Sequence, residues 1–207
     1  MRYVPNGILF GNSGPVCFWQ SHIFYWLALL NTKVSMEFLR FLSPTLTFGP
    51  EQLKRIPCEF KSNTRIEEMS IENVEIARNE WDSFETSWDF QHHPLLQKVP
   101  TIAEAFNQWQ AVCNERFQQL KANEEELNRI FIDIYGLQDE LTPEVQDKDV
   151  TVRKADLGRD IRSFISYAVG CMFGRYSLDM EGLAYAGGEW DNSKYASFAA
   201  DKDNIIP

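Results

Sequence analysis

Apolar residues recur at intervals of three and four along one long stretch of the chain. They occupy positions 102, 106, 109, 113, 117, 120, 127, 131 and 134, with one interruption at Glu124. This spacing predicts an α-helix from about 101 to 135, and Thr101 with Glu104 three residues later forms a capping-box pattern at its start. At 1.5 Å per residue this helix is about 52 Å long. A helix of that length needs a partner that covers its apolar side.

A second amphipathic stretch follows an acidic loop. The sequence "LQDELTPEVQDKD" after Gly136 allows the chain to reverse direction, and a helix is predicted from about 156 to 174. Gly170 predicts close packing and Gly174 predicts a C-terminal cap. The two helices are therefore predicted to form a long antiparallel pair, with the tail after them as surface loop. The stripe expected to face the first helix contains Leu157, Ile161, Phe164, Ile165, Ala168, Val169, Met172 and Phe173.

Turn residues and short apolar runs alternate in the N-terminal part of the chain. The segments "GILF" at 7–10 and "TLTF" at 45–48 suit short strands. Two helices are predicted between them, the first with Ser21 as its N-cap and the second with Asn31. The predicted fold is mainly α, with a small α+β N-terminal piece followed by a helical region that contains the long antiparallel pair.

Composition narrows the class of protein. The chain has 207 residues, of which 44% are hydrophobic and 14% aromatic, so it can build a globular core. Its longest apolar run has eight residues, "IFYWLALL", whereas a bilayer span needs about 20. Four widely spaced cysteines contain no CxxC pair and suit reduced thiols. These features predict a cytoplasmic protein without a membrane segment.

The net charge of −10 is unevenly distributed along the chain. Residues 1 to 65 contain seven Lys or Arg and three Asp or Glu, whereas residues 66 to 207 contain thirteen and twenty-seven. Only the basic first part is suited to a polyanion such as DNA, since acidic surface repels phosphate. The alternative for each cation is an ordinary solvated charge. The candidate phosphate contacts are Lys33, Arg40, Lys54, Arg55, Lys61 and Arg65.

A second group of cations precedes or lies on the later helix. It contains Arg153, Lys154, Arg159 and Arg162, but acids at 147, 149, 156 and 160 lie among them. We expect these acids to offset the positive charge, so this group is predicted to contribute less to DNA binding.

The segment "WDSFETSWDFQHHP" at 81–94 is rich in aromatic and acidic residues. If residues 80 to 89 form a short helix, Trp81, Phe84 and Trp88 share one face, and three acids share a neighbouring face. We expect the aromatic face to pack in the core and the acids to be solvated. The segment is therefore interpreted as packing and not as an active site.

Two adjacent histidines end this segment. His92 and His93 stand directly before Pro94, which favours extended geometry at His93, so their rings are expected to diverge and not to share a metal. The remaining histidine is His22. A metal hydrolase that uses this pair and nearby acids is retained as a distant alternative.

Sequence motifs for catalysis are missing from the chain. It contains no GxxxxGK[ST], no GxGxxG after a strand, no GxSxG and no HExxH. The glycine-rich "YAGG" at 185–188 lacks a strand before it and is interpreted as a turn. No catalytic, cofactor-binding or metal-binding residue is assigned.

Long segments of the chain carry a family resemblance. The segments "NVEIARNEWDSFETSWDFQHHPLL", "NEEELNRIFIDIYGLQDELTPEVQDKDVTVRKADLGRDIRSFISYAVGCMFGRYSLDMEGLAYAGGEWD" and "LLNTK" with "FLRFLSPTLTFGPEQLKRIP" resemble the later part of the adenine-specific DNA methyltransferases called PglX of the BREX phage-defence system. They are also similar to methylase subunits of type II (IIG-like) restriction enzymes. The resemblance covers nearly the whole chain.

The resemblance implies that catalysis and the role of this chain belong to different parts of the enzyme. Such enzymes use S-adenosylmethionine to methylate N6 of adenine, through a glycine-containing cofactor motif and an Asn-Pro-Pro-aromatic motif. Neither motif occurs here, so no catalytic residue is carried over and the catalytic domain is expected upstream or on another chain. By resemblance, residues 1–62 are the C-terminal part of a target-recognition region and residues 63–207 are a helical domain.

Two functions follow as hypotheses. The first is a non-catalytic C-terminal portion of an adenine-N6 DNA methyltransferase that helps to recognise or position double-stranded DNA. We expect such a chain alone neither to bind S-adenosylmethionine nor to methylate DNA. The alternative is a helical interaction module that docks partner proteins of the defence system without contacting DNA.

Overall fold

The computed structural model describes residues 1–5, 7–8, 16–43 and 48–201, and these are mainly helical. The predicted mainly α fold is thereby confirmed. No strand occurs within the described ranges, and the predicted strands at 7–10 and 45–48 fall largely outside them. No helix of the described part is both long and apolar enough to span a bilayer. The helices are α1 (Ile23–Leu30), α2 (Lys33–Leu42), α3 (Pro50–Leu53), α4 (Thr64–Trp81), α5 (Ile102–Tyr135) and α6 (Leu157–Met172).

The chain divides into two units, each built from two segments of sequence. Unit 1 consists of Met1–Ile76 and Gln118–Thr151, and unit 2 of Ala77–Phe117 and Val152–Pro207. Helix α5 contributes its second half to unit 1 and its first half to unit 2. A domain boundary after residue 62 stays a prediction from the sequence.

The core of unit 1 gathers one apolar side from each of four helices. Tyr25 and Leu29 of α1, Val34 of α2, Ile66 of α4 and Phe131 of α5 are fully buried. The rings of Tyr25 and Phe131 meet edge to face, with centroids 5.4 Å apart. Burying each large apolar side chain contributes about 1.5–3 kcal/mol, so this cluster is the main source of the unit's stability.

The predicted caps of the first two helices are wrong by one residue each. His22, not Ser21, is the N-cap of α1, and its side chain makes no capping hydrogen bond. Thr32, not Asn31, caps α2 and accepts a hydrogen bond from the Ser35 N–H. Asn31 is instead the C-cap of α1, where its amide donates to the Leu27 carbonyl oxygen at 2.9 Å. The short link between the helices leaves Asn31 to end one and Thr32 to start the next.

Polar side chains join α4 to the second half of α5. The Asn123 amide is buried and donates to the Glu72 carboxylate at 2.8 Å and to the Asn73 side-chain oxygen at 2.9 Å. The next residue, Glu124, is the interruption in the apolar stripe. Burial, with Asp149 and Glu125 nearby, raises the pKa of Glu124 to about 7. The break in the periodic pattern therefore marks a polar layer within the helix contacts.

In unit 2, α6 packs against the first half of α5. The Trp109 indole N–H donates to the Asp160 carboxylate at 3.1 Å, and the Lys154 ammonium lies 4.1 Å from the centroid of the Phe117 ring. Trp109 and Phe117 follow each other along one segment, whereas their partners Asp160 and Lys154 occur in the reverse order along the other. The two segments therefore run antiparallel, as predicted. With 16 residues against 34, α6 covers only part of α5.

The face that α6 buries differs from the predicted one. Leu157 and Ile165, both predicted to pack, are exposed, whereas Asp160 and Tyr167 are buried. The reason is the carboxylate of Asp160, which the periodic pattern assigns to solvent. It is 2% exposed because the Trp109 indole and the Arg159 guanidinium both donate to it.

The C-terminal end of α6 and the tail pack more closely than predicted. Gly174 adopts a left-handed φ of 72°, and the Arg175 N–H donates to the Gly170 carbonyl oxygen at 2.8 Å, which is the predicted glycine cap. The tail contains no further α-helix up to residue 201, but it is not purely surface loop. Its buried residues are Tyr176, Ser177, Ala184 and Tyr195.

The aromatic segment after α4 does not form the predicted helix. Helix α4 ends at Trp81, and turns follow it up to Asp89. Of the three aromatic residues expected to pack, only Phe84 joins the core, whereas Trp81 is 53% and Trp88 is 98% exposed. The Ser87 hydroxyl donates to the Asp82 carboxylate at 2.6 Å. Short polar side chains close turns in this way and compete with helix formation.

We predict that Gly170→Ala lowers the free energy of unfolding by about 1–3 kcal/mol, the usual cost of overpacking. A Cβ atom at this position would lie 2.6 Å from the buried ring of Tyr176. Gly158→Ala on the same helix is the matched control, because its nearest neighbour would lie at 3.6 Å. The control should be neutral or stabilising by up to about 1 kcal/mol. Urea unfolding of both variants measures this; equal losses would contradict the close packing.

We also predict that Trp88→Ala changes the free energy of unfolding by less than about 0.5 kcal/mol, as at other exposed positions. Trp109→Ala is the matched comparison and should cost about 3–5 kcal/mol, because this ring is buried in unit 2. Chemical denaturation followed by circular dichroism compares the two. A cost above about 1 kcal/mol for Trp88→Ala would place its ring in the core.

Candidate nucleic-acid interface

The six candidate phosphate contacts all lie in unit 1, but Lys33 differs from the rest. It is half-buried at the start of α2, and its ammonium donates to the Glu144 carbonyl oxygen at 2.5 Å. Its backbone N–H donates to the Asn128 side chain at 2.9 Å. Lys33 therefore ties α2 to the acidic loop and is less available to a ligand.

Lys54 and Arg55 follow directly after α3 and are exposed. The Lys54 ammonium lies 3.0 Å from the Glu51 carboxylate, and the two side chains are 72% and 80% exposed. No ion pair to Arg55 occurs within the described ranges. An exposed ion pair contributes about 0–1 kcal/mol, so a phosphate can displace Glu51 at little cost.

The other three candidate cations also lie near carboxylates. Arg40 lies 3.4 Å from the Glu37 carboxylate on α2. Lys61 and Arg65 lie near the start of α4, where their partners are Glu59 at 3.4 Å and Glu126 at 4.0 Å. All three cationic side chains are more than half exposed. Each can exchange its carboxylate partner for another anion.

Two arginines of unit 2 are bound more firmly. The Arg153 guanidinium lies 2.5 Å from the Glu80 carboxylate and 3.9 Å from the centroid of the Phe84 ring. The Arg159 guanidinium lies 2.7 Å from the buried Asp160 carboxylate. Removing one partner of a buried pair leaves an uncompensated charge, so these two arginines are structural.

A polar cleft of about 490 Å³ lies in unit 2, beside the aromatic segment. Its one arginine, Arg116, is already used, because its guanidinium donates to the Asn79 carbonyl oxygen and the Ser83 hydroxyl. With two carboxylates in its wall, the cleft is unsuited to phosphate. Its lining consists of Asn79, Asp82, Ser83, Asp89, Gln91, His92, Pro94, Gln97, Trp109, Val112 and Arg116.

The adjacent histidines have different surroundings. His93 is buried, its Nδ1 accepts a hydrogen bond from the Leu95 N–H at 3.2 Å, and burial lowers its pKa to about 4. His92 lines the cleft. Within the described ranges, no group of three His, Cys, Asp or Glu side chains is placed to hold a metal ion.

Unit 1 carries an aromatic surface that sequence reasoning missed. The rings of Trp19 and Trp26 stack with centroids 4.8 Å apart, and Trp26 lies 6.0 Å from Phe60. The His22 ring lies 4.5 Å from Phe60 and is held by a 2.6 Å hydrogen bond with the Glu67 carboxylate. The only signal in the sequence is the density of aromatic residues from 18 to 26, since Phe60 joins them through the fold.

Comparisons with known proteins give two similar sequences. The chain is 49% identical over 213 residues to the "Adenine-specific methyltransferase PglX" of Lacticaseibacillus casei (strain Zhang), an alignment that covers 99% of the chain and 18% of that protein. It is 30% identical over 239 residues to the "Adenine-specific methyltransferase BrxX" of Escherichia coli O9:H4 (strain HS), covering 100% of the chain and 19% of that protein. No protein-family model matches the chain.

The resemblance predicted from the sequence is confirmed by these two matches. The chain spans about a fifth of the length of the curated relatives it matches. Over its whole length, the chain therefore matches one part of the BREX adenine-specific methyltransferases PglX and BrxX.

Proposed function

We propose that the chain is a non-catalytic portion of an S-adenosylmethionine-dependent adenine-N6 DNA methyltransferase, and that unit 1 positions double-stranded DNA. In this proposal the cofactor and the catalytic residues belong to an upstream methyltransferase domain. Residues 1–62 then form the end of a target-recognition region, and residues 63–207 form a helical domain. A role on DNA in phage defence would place the chain in the cytoplasm.

The difference between the two sets of cations supports the proposal. The exposed cations of unit 1, such as Lys54 and Arg55, have either a solvated partner or none within the described ranges. Arg153 and Arg159 of unit 2 are instead held by carboxylates that are almost inaccessible to solvent. Phosphate contacts require cations that can leave their present partners, so we assign the DNA-facing surface to the exposed cations within residues 1–65, such as Lys54 and Arg55.

A second candidate function is a module that docks other proteins of the defence system without touching DNA. The nearly complete exposure of the Trp88 ring favours it, because a large exposed aromatic residue is typical of a protein interface. The acidic composition beyond residue 65 suits a basic partner.

DNA binding by the chain tests the first function. We predict that Lys54→Ala/Arg55→Ala weakens binding to a short labelled duplex and flattens the salt dependence. The slope of log K against log salt should decrease by about 0.9 for each phosphate that the variant no longer neutralises, hence by about 1–2 for both. Fluorescence anisotropy from low to moderate salt measures both quantities.

The control is the double variant Lys98→Ala/Arg162→Ala. It removes two exposed cations of unit 2 and leaves the Arg159–Asp160 ion pair intact. Charge alone would favour Arg159 with Arg162 as the comparison, but Arg159 holds the buried Asp160, so its removal would disturb folding. The control should leave the slope almost unchanged. A larger decrease in the control pair would assign the DNA surface to the wrong unit, and no binding by the unmodified chain at low salt would favour the protein module.

A further inference from the structure

The aromatic surface of unit 1 consists of the rings of Trp19, His22, Trp26 and Phe60. Ring-centroid distances of 4.5–6.0 Å connect them into one cluster, in which Trp19 and Trp26 stack and the other pairs are tilted, and Phe60 is 41% exposed. Trp19 and His22 are also exposed. The Tyr25 and Phe131 rings of the unit 1 core are buried, and Trp26 is partly buried against that core. An aromatic cluster that stays open to solvent beside a full core is available to a flat ligand.

The backbone holds His22 in this cluster at a cost. With φ at 55°, it is the one non-glycine residue of the described ranges in the left-handed region. At the N-cap of α1 its side chain makes no capping bond, and its ring faces Phe60 and the Glu67 carboxylate. The left-handed backbone of His22 costs on the order of 1 kcal/mol. It places the imidazole ring on the surface, where the ring does not cap the helix.

Cations adjoin the aromatic surface in the chain. Lys61 directly follows Phe60, and Arg65 lies in the first turn of α4. Both cationic side chains are more than half exposed; Lys61 pairs with the exposed Glu59, and Arg65 lies 4.0 Å from the partly buried Glu126. Glu67 is occupied by the His22 ring. A cluster of aromatic rings next to exchangeable cations is the combination by which proteins bind unpaired nucleotides, with bases on the rings and phosphates on the cations.

We propose that this aromatic surface stacks an unpaired DNA base while Lys61 and Arg65 contact the phosphates beside it. The inference rests on the proposed DNA-binding function of unit 1 and adds the form of DNA that it prefers. Lys61 and Arg65 favour a nucleic acid as the occupant, because exposed cations beside aromatic rings can contact the phosphates that flank a stacked base.

The test compares two DNA probes, a fully paired short duplex and the same duplex with a single-nucleotide bulge. We predict that the chain binds the bulged duplex about tenfold more tightly, since stacking one base on an aromatic side chain typically gives about that factor. Phe60→Leu should abolish most of this preference and leave binding to the paired duplex within about twofold. Fluorescence anisotropy at constant salt measures both.

Matched variants separate stacking from a loss of folding. Phe41→Leu removes a ring that is 89% exposed on α2 of the same unit and should leave the preference unchanged. Phe60→Trp preserves an aromatic ring and should preserve the preference, whereas Trp19→Leu should reduce it. Thermal unfolding of each variant shows whether unit 1 remains folded.

The outcomes distinguish this inference from the function on which it rests. Equal binding to both probes, or a preference that survives Phe60→Leu and Trp19→Leu, would overturn base stacking and leave DNA positioning intact. Failure to bind either probe at low salt would overturn both and indicate a protein partner for the surface.

Discussion

Helix α5 has 34 residues and one apolar side, which has to be covered along its length. The core of each unit covers one half of this side. The second half of α5 is covered in unit 1 by α1, α2 and α4, whose residues surround Phe131. The first half is covered in unit 2 by α6 and by the loop around Leu95. Because one helix supplies both cores, each unit is assembled from separate segments of sequence.

Buried polar groups within these contacts restrict the orientation of one helix against another more strictly than apolar packing does. Asp160 is the clearest case, since its buried carboxylate accepts from the Trp109 indole, the Arg159 guanidinium and the Asp156 N–H. Rotating α6 would separate this buried charge from the Trp109 indole, and losing a hydrogen bond to a charged group costs about 1.5–3 kcal/mol. The same network removes Arg159 from the cations that a ligand can reach. The packing of α6 and the engagement of Arg159 therefore have one cause.

Periodic patterns correctly predicted the helices in which local sequence preference and tertiary packing favour the same structure. The bounds of α5 and α6 came within two residues of the structure, and Gly174 caps α6 as expected. Predictions failed where tertiary contacts reassigned a residue. Asp160 rotated the buried face of α6, and the serines near Trp88 closed turns where the spacing of aromatic residues suggested a helix.

The candidate site was accessible to sequence reasoning only in part. Charge distribution identified the cations of unit 1, because charge can be counted without knowing the fold. It did not distinguish Lys33, which binds a carbonyl oxygen of the acidic loop, from the exchangeable cations. The aromatic surface was missed because Phe60 lies 34 residues beyond Trp26 in the chain. Contacts of that separation are created by folding and leave no periodic signal.

The exchangeable ion pairs of unit 1 also determine how strongly its exposed cations can bind phosphate. Most of these cations already have a neighbouring acid, so a phosphate must replace a carboxylate such as Glu51 or Glu59 and leave it unpaired near the DNA. The net gain from each phosphate is consequently small and falls as salt rises. In the proposed function, these cations therefore orient DNA that other contacts also hold. Stacking on rings is less sensitive to salt, which is why an aromatic surface beside weak cations adds selectivity that the cations alone cannot supply.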